Sequence, residues 1–279
     1  MPLPADPAAQ IDRAERLSTL VDGFPERVPG ALPALRELLD EAANAEVRAA
    51  AVRAVGDTWT DDGIQLLLGR GLEDDDVRVR RELATALGSV DPEGELVGQV
   101  AEVLRALSAD IDDDVRDRAC ASLAASQDAS PETVAAFRGR LDDAHDDTRC
   151  GALLGLAQLG DRAALPLLRD RLETADPFEI FRLELQAAEK YADPSLLPGL
   201  RRIETAWRAE ETDNTGTAGA GETGSVSDDG VPDETADDAE AADDNAADAD
   251  ADMWADLNRA IAASANGRAA GDAGPSRVT

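Results

Sequence analysis

Apolar residues recur at a helical period along most of this chain, and they do so in five similar stretches. The stretches start at Val47, Val79, Val115, Thr148 and Phe181, spaced 32, 36, 33 and 33 residues apart. An arginine follows the first residue in all five: Arg48, Arg80, Arg116, Arg149 and Arg182. Four residues after the start stand Ala51, Leu83, Ala119, Ala152 and Leu185. Eight residues after it stand Val55, Leu87, Leu123 and Leu156, a pattern that fails at Glu189. Position seven is small, and position nine is Gly56, Gly88, Ala124 and Ala157 in the first four. Apolar residues at zero, four and eight lie on one face of a helix, so each stretch predicts a helix with a narrow buried stripe.

A second helix precedes each of these. Leu32-Pro33-Ala34-Leu35-Arg36, Leu165-Pro166-Leu167-Leu168-Arg169 and Leu197-Pro198-Gly199-Leu200-Arg201 share one pattern, with proline expected in the first turn. Asp6-Pro7, Asp91-Pro92, Ser130-Pro131 and Asp193-Pro194 offer a capping oxygen followed by proline. Asn44, Asp76 and Asp112 stand three residues before a start, where a cap belongs, whereas His145 and Phe178 depart from that rule. No single pair of helices could bury its stripe alone, so the pairs are expected to stack into one continuous core.

A Val-Arg-x-x-Ala-x-x-x-Leu-Gly pattern at this period resembles the HEAT-like repeats of phycobilin lyases. The ankyrin Thr-Pro-Leu-His signature and the tetratricopeptide Trp-Gly-Tyr framework are both missing. The resemblance covers about residues 30 to 207. It implies an all-α, right-handed α-solenoid of five to six helix pairs. The expected organisation is an N-terminal capping helix in 1–29, the solenoid in 30–208, and a disordered acidic linker in 209–252. A short amphipathic helix in 253–264 and a disordered end in 265–279 follow. The linker prediction rests on its Asp, Glu, Ala, Gly, Ser and Thr content, which offers almost nothing to bury.

Charge narrows the function. The chain holds 59 acidic residues against 27 Lys plus Arg, a formal net charge of -32. Such a surface repels phosphate backbones, so direct DNA or RNA binding is not expected. It also opposes its own folding by self-repulsion, which molar salt screens. The composition therefore predicts a salt-adapted protein, as in halophilic archaea, with a high-GC actinobacterium as the alternative source. With no basic N-terminal start, no long apolar run and only two cysteines, the expected place is the cytoplasm, away from membranes.

Catalytic chemistry finds little support. One histidine, His145, makes a hydrolytic triad or a His-based acid–base pair hard to assemble. His145, Cys120 and Cys150 lack paired zinc-ligand spacing, and the cysteines read better as small buried hydrophobes. Iron-dependent hydroxylases of this architecture need His-Glu pairs, absent here, and the related DNA glycosylases need a cationic groove. The acidic clusters Asp74–Asp76, Asp110 with Asp112–Asp114, and Asp142-Asp143 with Asp146-Asp147 lack the grammar of a calcium loop. They read as helix caps and a hydrated edge. No catalytic residue, metal or cofactor is expected.

The expected function is that of a scaffold or adaptor for other proteins. The resemblance implies that the second helix of each pair lines a groove, and so nominates Arg53, Arg81, Thr85, Arg118, Ser122 and Gln158 as partner-binding. The repeat arginines Arg48, Arg80, Arg116, Arg149 and Arg182 are expected to bridge neighbouring units through carboxylates and carbonyls. Trp254, Leu257 and Ile261, at i, i+3 and i+7, form a sticky helical face that either docks on a partner or folds back. HEAT-type scaffolds include subunits of RNA 3′-end processing machines and adaptors in archaeal taxis signalling; both remain open for the partner. The alternatives are an enzyme subunit of phycobilin-lyase type, and mimicry of nucleic acid by the acidic tail.

Overall fold

The computed structural model describes residues 6–69, 74–126, 128–217 and 236–267. Helices and short 3-10 turns make up the regular structure, with no strand among the described residues. Two compact units result, Met1–Asp161 and Arg162–Thr279.

The first unit holds α1 (Pro7–Val21), α2 (Val28–Glu41), α3 (Ala45–Gly56), α4 (Asp61–Leu68), α5 (Val77–Ser89), α6 (Glu95–Leu107), α7 (Asp113–Ser126), α8 (Pro131–Arg138) and α9 (Asp146–Gln158). Caps set many of the starts. Asp6, Asn44, Asp76 and Ser130 accept from the N–H groups of Ala8, Glu46, Arg78 and Thr133, each satisfying a donor that the first turn leaves open. Asp112 does the same for Val115 N–H. Two expectations shift. Asp91-Pro92 does not open α6, which starts at Glu95 behind Gly94, a residue at φ 59°. Pro33 sits inside α2 instead of in its first turn, which begins earlier, at Val28.

Helices α1, α3, α5, α7 and α9 pack side by side in one row, each against the next. The even-numbered helices lie along one flank of that row, α2 against α3 and α6 against α7. The stripe seen in the sequence is the seam. Val47, Ala51 and Val55 are buried in α3; Val79, Leu83 and Leu87 in α5; Val115, Ala119 and Leu123 in α7; Thr148, Ala152 and Leu156 in α9. Fully burying one such Leu or Val contributes roughly 1.5–3 kcal/mol.

The small residues at positions seven and nine set how closely the row packs. A Cβ on Gly88 of α5 would lie 2.1 Å from Ser122 Oγ of α7. A Cβ on Gly155 of α9 would lie 2.5 Å from the buried Phe137 ring of α8.

The second unit holds α10 (Leu165–Thr174), α11 (Arg182–Tyr191), α12 (Leu197–Thr217) and α13 (Ala236–Asn266). Helix α10 packs on α12, and α13 packs along α11 and against α12. Helix α12 runs to Thr217 and α13 starts at Ala236, so the short helix expected at 253–264 lies within a longer one. Frequent alanines in α13 favour the helix. Arg201 and Arg208 flank Glu204 at i,i+3 and i,i+4 and support α12 in the same way. The remainder of the expected linker and residues 268–279 lie outside the described residues.

Replacing Gly88 with Leu should cost about 1–3 kcal/mol through overpacking against Ser122. Urea unfolding followed by far-ultraviolet circular dichroism would show it as a lower midpoint; an unchanged midpoint would mean the row is not packed this tightly.

Candidate functional site

The repeat arginines form a ladder that ties consecutive repeats of the first unit together. Arg48 Nε and Nη2 donate to Asp74 at 2.7 and 2.9 Å, while its Nη1 donates to the carbonyls of Ala42 and Ala43. Arg80 repeats this with Asp110 at 2.7 and 3.0 Å and with the carbonyls of Asp74 and Asp75. Arg116 repeats it with Asp143 at 3.0 and 2.8 Å and with the carbonyls of Asp110 and Ile111. One guanidinium therefore closes its own turn with one nitrogen and grips the next repeat with the other two. Arg149 departs from the expected bridge: it donates to the Asp143 carbonyl at 2.6 Å and pairs with Asp146 on its own helix, not with the following repeat.

The acceptors are shaped as carefully as the donors. Asp74, Asp110 and Asp143 also accept from the N–H two residues onward, on Asp76, Asp112 and His145. Their side chains are 13%, 10% and 5% exposed. Burial alone would raise their pKa values; the arginine bonds, the turn N–H and nearby positive charge outweigh it and hold all three below the ordinary 3.8. Asp76, bonded by the Arg78 guanidinium and N–H, falls to about 2.

The clusters that read as caps and hydrated edge thus divide by position. Asp74, Asp110 and Asp143 each grip an arginine, and in two of the clusters a later acid, Asp76 or Asp112, caps. The signal was present: Asp74, Asp110 and Asp143 each precede a repeat arginine by six residues, and Ala42 stands at that offset before Arg48.

A cavity of about 320 Å³ opens on the face of the row formed by α1, α3 and α5. Ile11, Ala49 and Ala50 give it an apolar lining; Glu15, Glu46, Glu82, Arg53, Arg78 and Arg81 surround it. Of the groove residues nominated from sequence, Arg53 and Arg81 reach this cavity. Both are already engaged, Arg53 with Glu82 at 2.6 Å and Arg81 with Asp114. Thr85 is exposed and donates to the Arg81 carbonyl. Arg118 and Gln158 are exposed. Ser122 is a correction: it is 8% exposed, packs on Gly88, and donates to the Ala84 carbonyl at 2.8 Å. It occupies position seven, the small-residue seam, and so faces a neighbouring helix.

For the tail residues the structure shows the folded-back alternative. Leu257 and Ile261 are 0% and 6% exposed on the second unit's own helices, and Trp254 meets Trp207 edge to face at 5.3 Å. In this structure they are covered by the chain and not presented to a partner, because α13 supplies the neighbour that α11 would otherwise lack. Arg182 is bound there too, to Asp256 at 2.7 Å.

Cys120 and Cys150 are buried free thiols, and burial pushes Cys120 up to about 12, far from a reactive thiolate. His145 faces Thr148 Oγ1 at 3.2 Å. Asp112, Asp113 and Asp114 bring carboxylate oxygens within 4.8 Å of one another, but the first and last are met by Arg81. Among the described residues no helix is long and apolar enough to cross a membrane.

Residues 32–97 and 100–189 match the family model described as HEAT repeats. The chain belongs to the HEAT repeat family. No curated protein matches it. Among solved structures with this fold, Escherichia coli YibA is 20% identical over 64% of this chain and 64% of its own, with a TM-score of 0.54. The HEAT repeat chain thus spans just under two thirds of YibA. An engineered protein is 20% identical over 70% of this chain and 93% of its own, at a TM-score of 0.49. The CpcE–CpcF complex of phycocyanin lyase from Nostoc sp. PCC7120 is 17% identical over 72% and 84%, at 0.44. Such identities speak for the fold alone.

Replacing Asp143 with Asn removes the charge facing Arg116 and Arg140 and should cost about 2 kcal/mol at pH 7 in urea unfolding. The folded-state pKa is depressed, so this contribution is complete above 3.8 and is lost as pH falls through the folded value. The gap between wild type and variant should therefore close on acidification below pH 3.8. A gap independent of pH would refute the charge-based origin.

Proposed function

We propose that this HEAT repeat protein is a non-catalytic, salt-adapted cytoplasmic scaffold or adaptor that holds another protein on the face of α1, α3 and α5. The observation that carries this reading is the cavity there, lined by apolar Ile11, Ala49 and Ala50 together with three Glu and three Arg side chains. A pocket with an apolar base and a polar rim is the usual anatomy of a protein contact. The rim charges are equal in number, three acidic and three basic, on a chain whose surroundings are strongly acidic. A rim of balanced charge repels an approaching acidic protein less than a net-acidic surface does. Arg53 and Arg81 are its adjustable elements, since each is held by exposed or half-exposed carboxylates that a partner could replace.

Arg118, Thr85 and Gln158 extend the same reading toward α7 and α9. The partner is a protein, such as a component of an RNA-processing or signalling complex, and neither DNA, RNA nor membrane is its ligand.

Affinity purification from the native host at native salt tests this. The Arg53→Glu/Arg81→Glu double variant should keep its helicity and lose the partners that wild type retains, by about tenfold or more. Identical partner sets for both would sink the assignment of this face. A stoichiometric chromophore or metal on the purified protein would sink the non-catalytic reading instead.

A further inference from the structure

Helix α13 does for α11 what each successive row helix does for the one before it in the first unit. It packs along α11 as α5 packs along α3. Its Asp256, 0% exposed, receives Arg182 Nε at 2.7 Å, the length and atom that Arg48 and Arg80 use on Asp74 and Asp110. Gln186 Nε2 donates to the same oxygen at 3.2 Å, and Arg259 pairs with both Asp256 and Glu189. Leu257, Ala260 and Ile261 fill the apolar seam. The likeness is chemical and not local: the ladder aspartates sit in turns, whereas Asp256 sits within a helix, and Arg182 Nη1 turns to Asp252 at 3.0 Å instead of to carbonyls.

Two features mark α13 as a separable piece. Eighteen residues, 218–235, join it to α12, although the two helices touch and helix–helix connections of about 2–8 residues are common. That length would reach roughly 60 Å if extended. In addition, the Ser264 hydroxyl is buried in the seam with no hydrogen-bond partner among the described residues, which a permanent core seldom tolerates.

We infer that the α11–α12 face is a helix-docking site, filled in cis by α13 and, when α13 leaves, open to the same segment of a second copy of this chain. Recognition requires an aspartate for Arg182, Leu and Ile side chains one and five residues after it, and an aromatic ring two residues before it for Trp207. Tethering gives the cis helix a high effective concentration, so exchange between copies is suppressed until the tether is cut or the cis helix is disabled. This inference stands apart from the scaffold reading, which rests on the first unit.

A specific protease site placed within 218–235 of the full chain tests it. After cleavage, a fluorescent peptide of residues 251–267 should replace the released fragment saturably, while uncut chain binds it at least about tenfold more weakly. Arg182→Glu in the cut chain should weaken peptide binding at least about tenfold, and Asp256→Asn in the peptide should do likewise. The inference is overturned if the fragment neither leaves nor exchanges, if its departure collapses the helicity of the chain, or if the Arg182 variant binds the peptide as wild type does.

Discussion

Everything in the first unit depends on a guanidinium reaching from one repeat to a carboxylate in the next. The chain carries a net charge of -32, and its acids push apart at every turn. The ladder places an arginine where consecutive repeats bring their acids closest, and buries each contact enough that bulk ions screen it little. Salt then acts unequally: it weakens the exposed repulsion and spares the partly buried attraction. An acidic surface and a repeat core coexist on that inequality, with arginine preferred over lysine because only a planar fork can serve two repeats at once.

The apolar seam and the ladder divide the work between them. Alanine, valine and leucine supply burial without direction, and closely packed small residues such as Gly88 bring the row helices together. The guanidinium adds register, because its three nitrogens address a turn and a carboxylate that meet only when successive helices are correctly offset. The open face of the same row adds a second, more exposed set of such bridges. Arg53 meets Glu82 and Arg81 meets Asp114 there, nearer the solvent than the ladder contacts.

Much of this was legible in the sequence, and the losses have physical reasons. The repeats, their caps at Asn44 and Asp76 and the bridging arginines follow from a periodicity that packing enforces. The acceptors Asp74, Asp110 and Asp143 were hidden among capping acids, since composition does not distinguish a carboxylate that caps from one that grips. Ser122 was placed in the groove because it is polar, although its position belongs to the seam, where a small side chain matters more than polarity. Trp254, Leu257 and Ile261 were recognised as a sticky face, but periodicity along one helix cannot say which surface it meets.

The ladder also has a direction. Arg48, Arg80 and Arg116 each point toward the C-terminal neighbour, and the first repeat has Ala42 where the later ones carry an aspartate. Arg149 closes the run by turning to Asp146 on its own helix, so the ladder opens on Ala42 without an aspartate and ends on an arginine already paired. Both limits of the ladder thus lie within the row, and its chemistry is used up in joining α3 to α9 in one molecule.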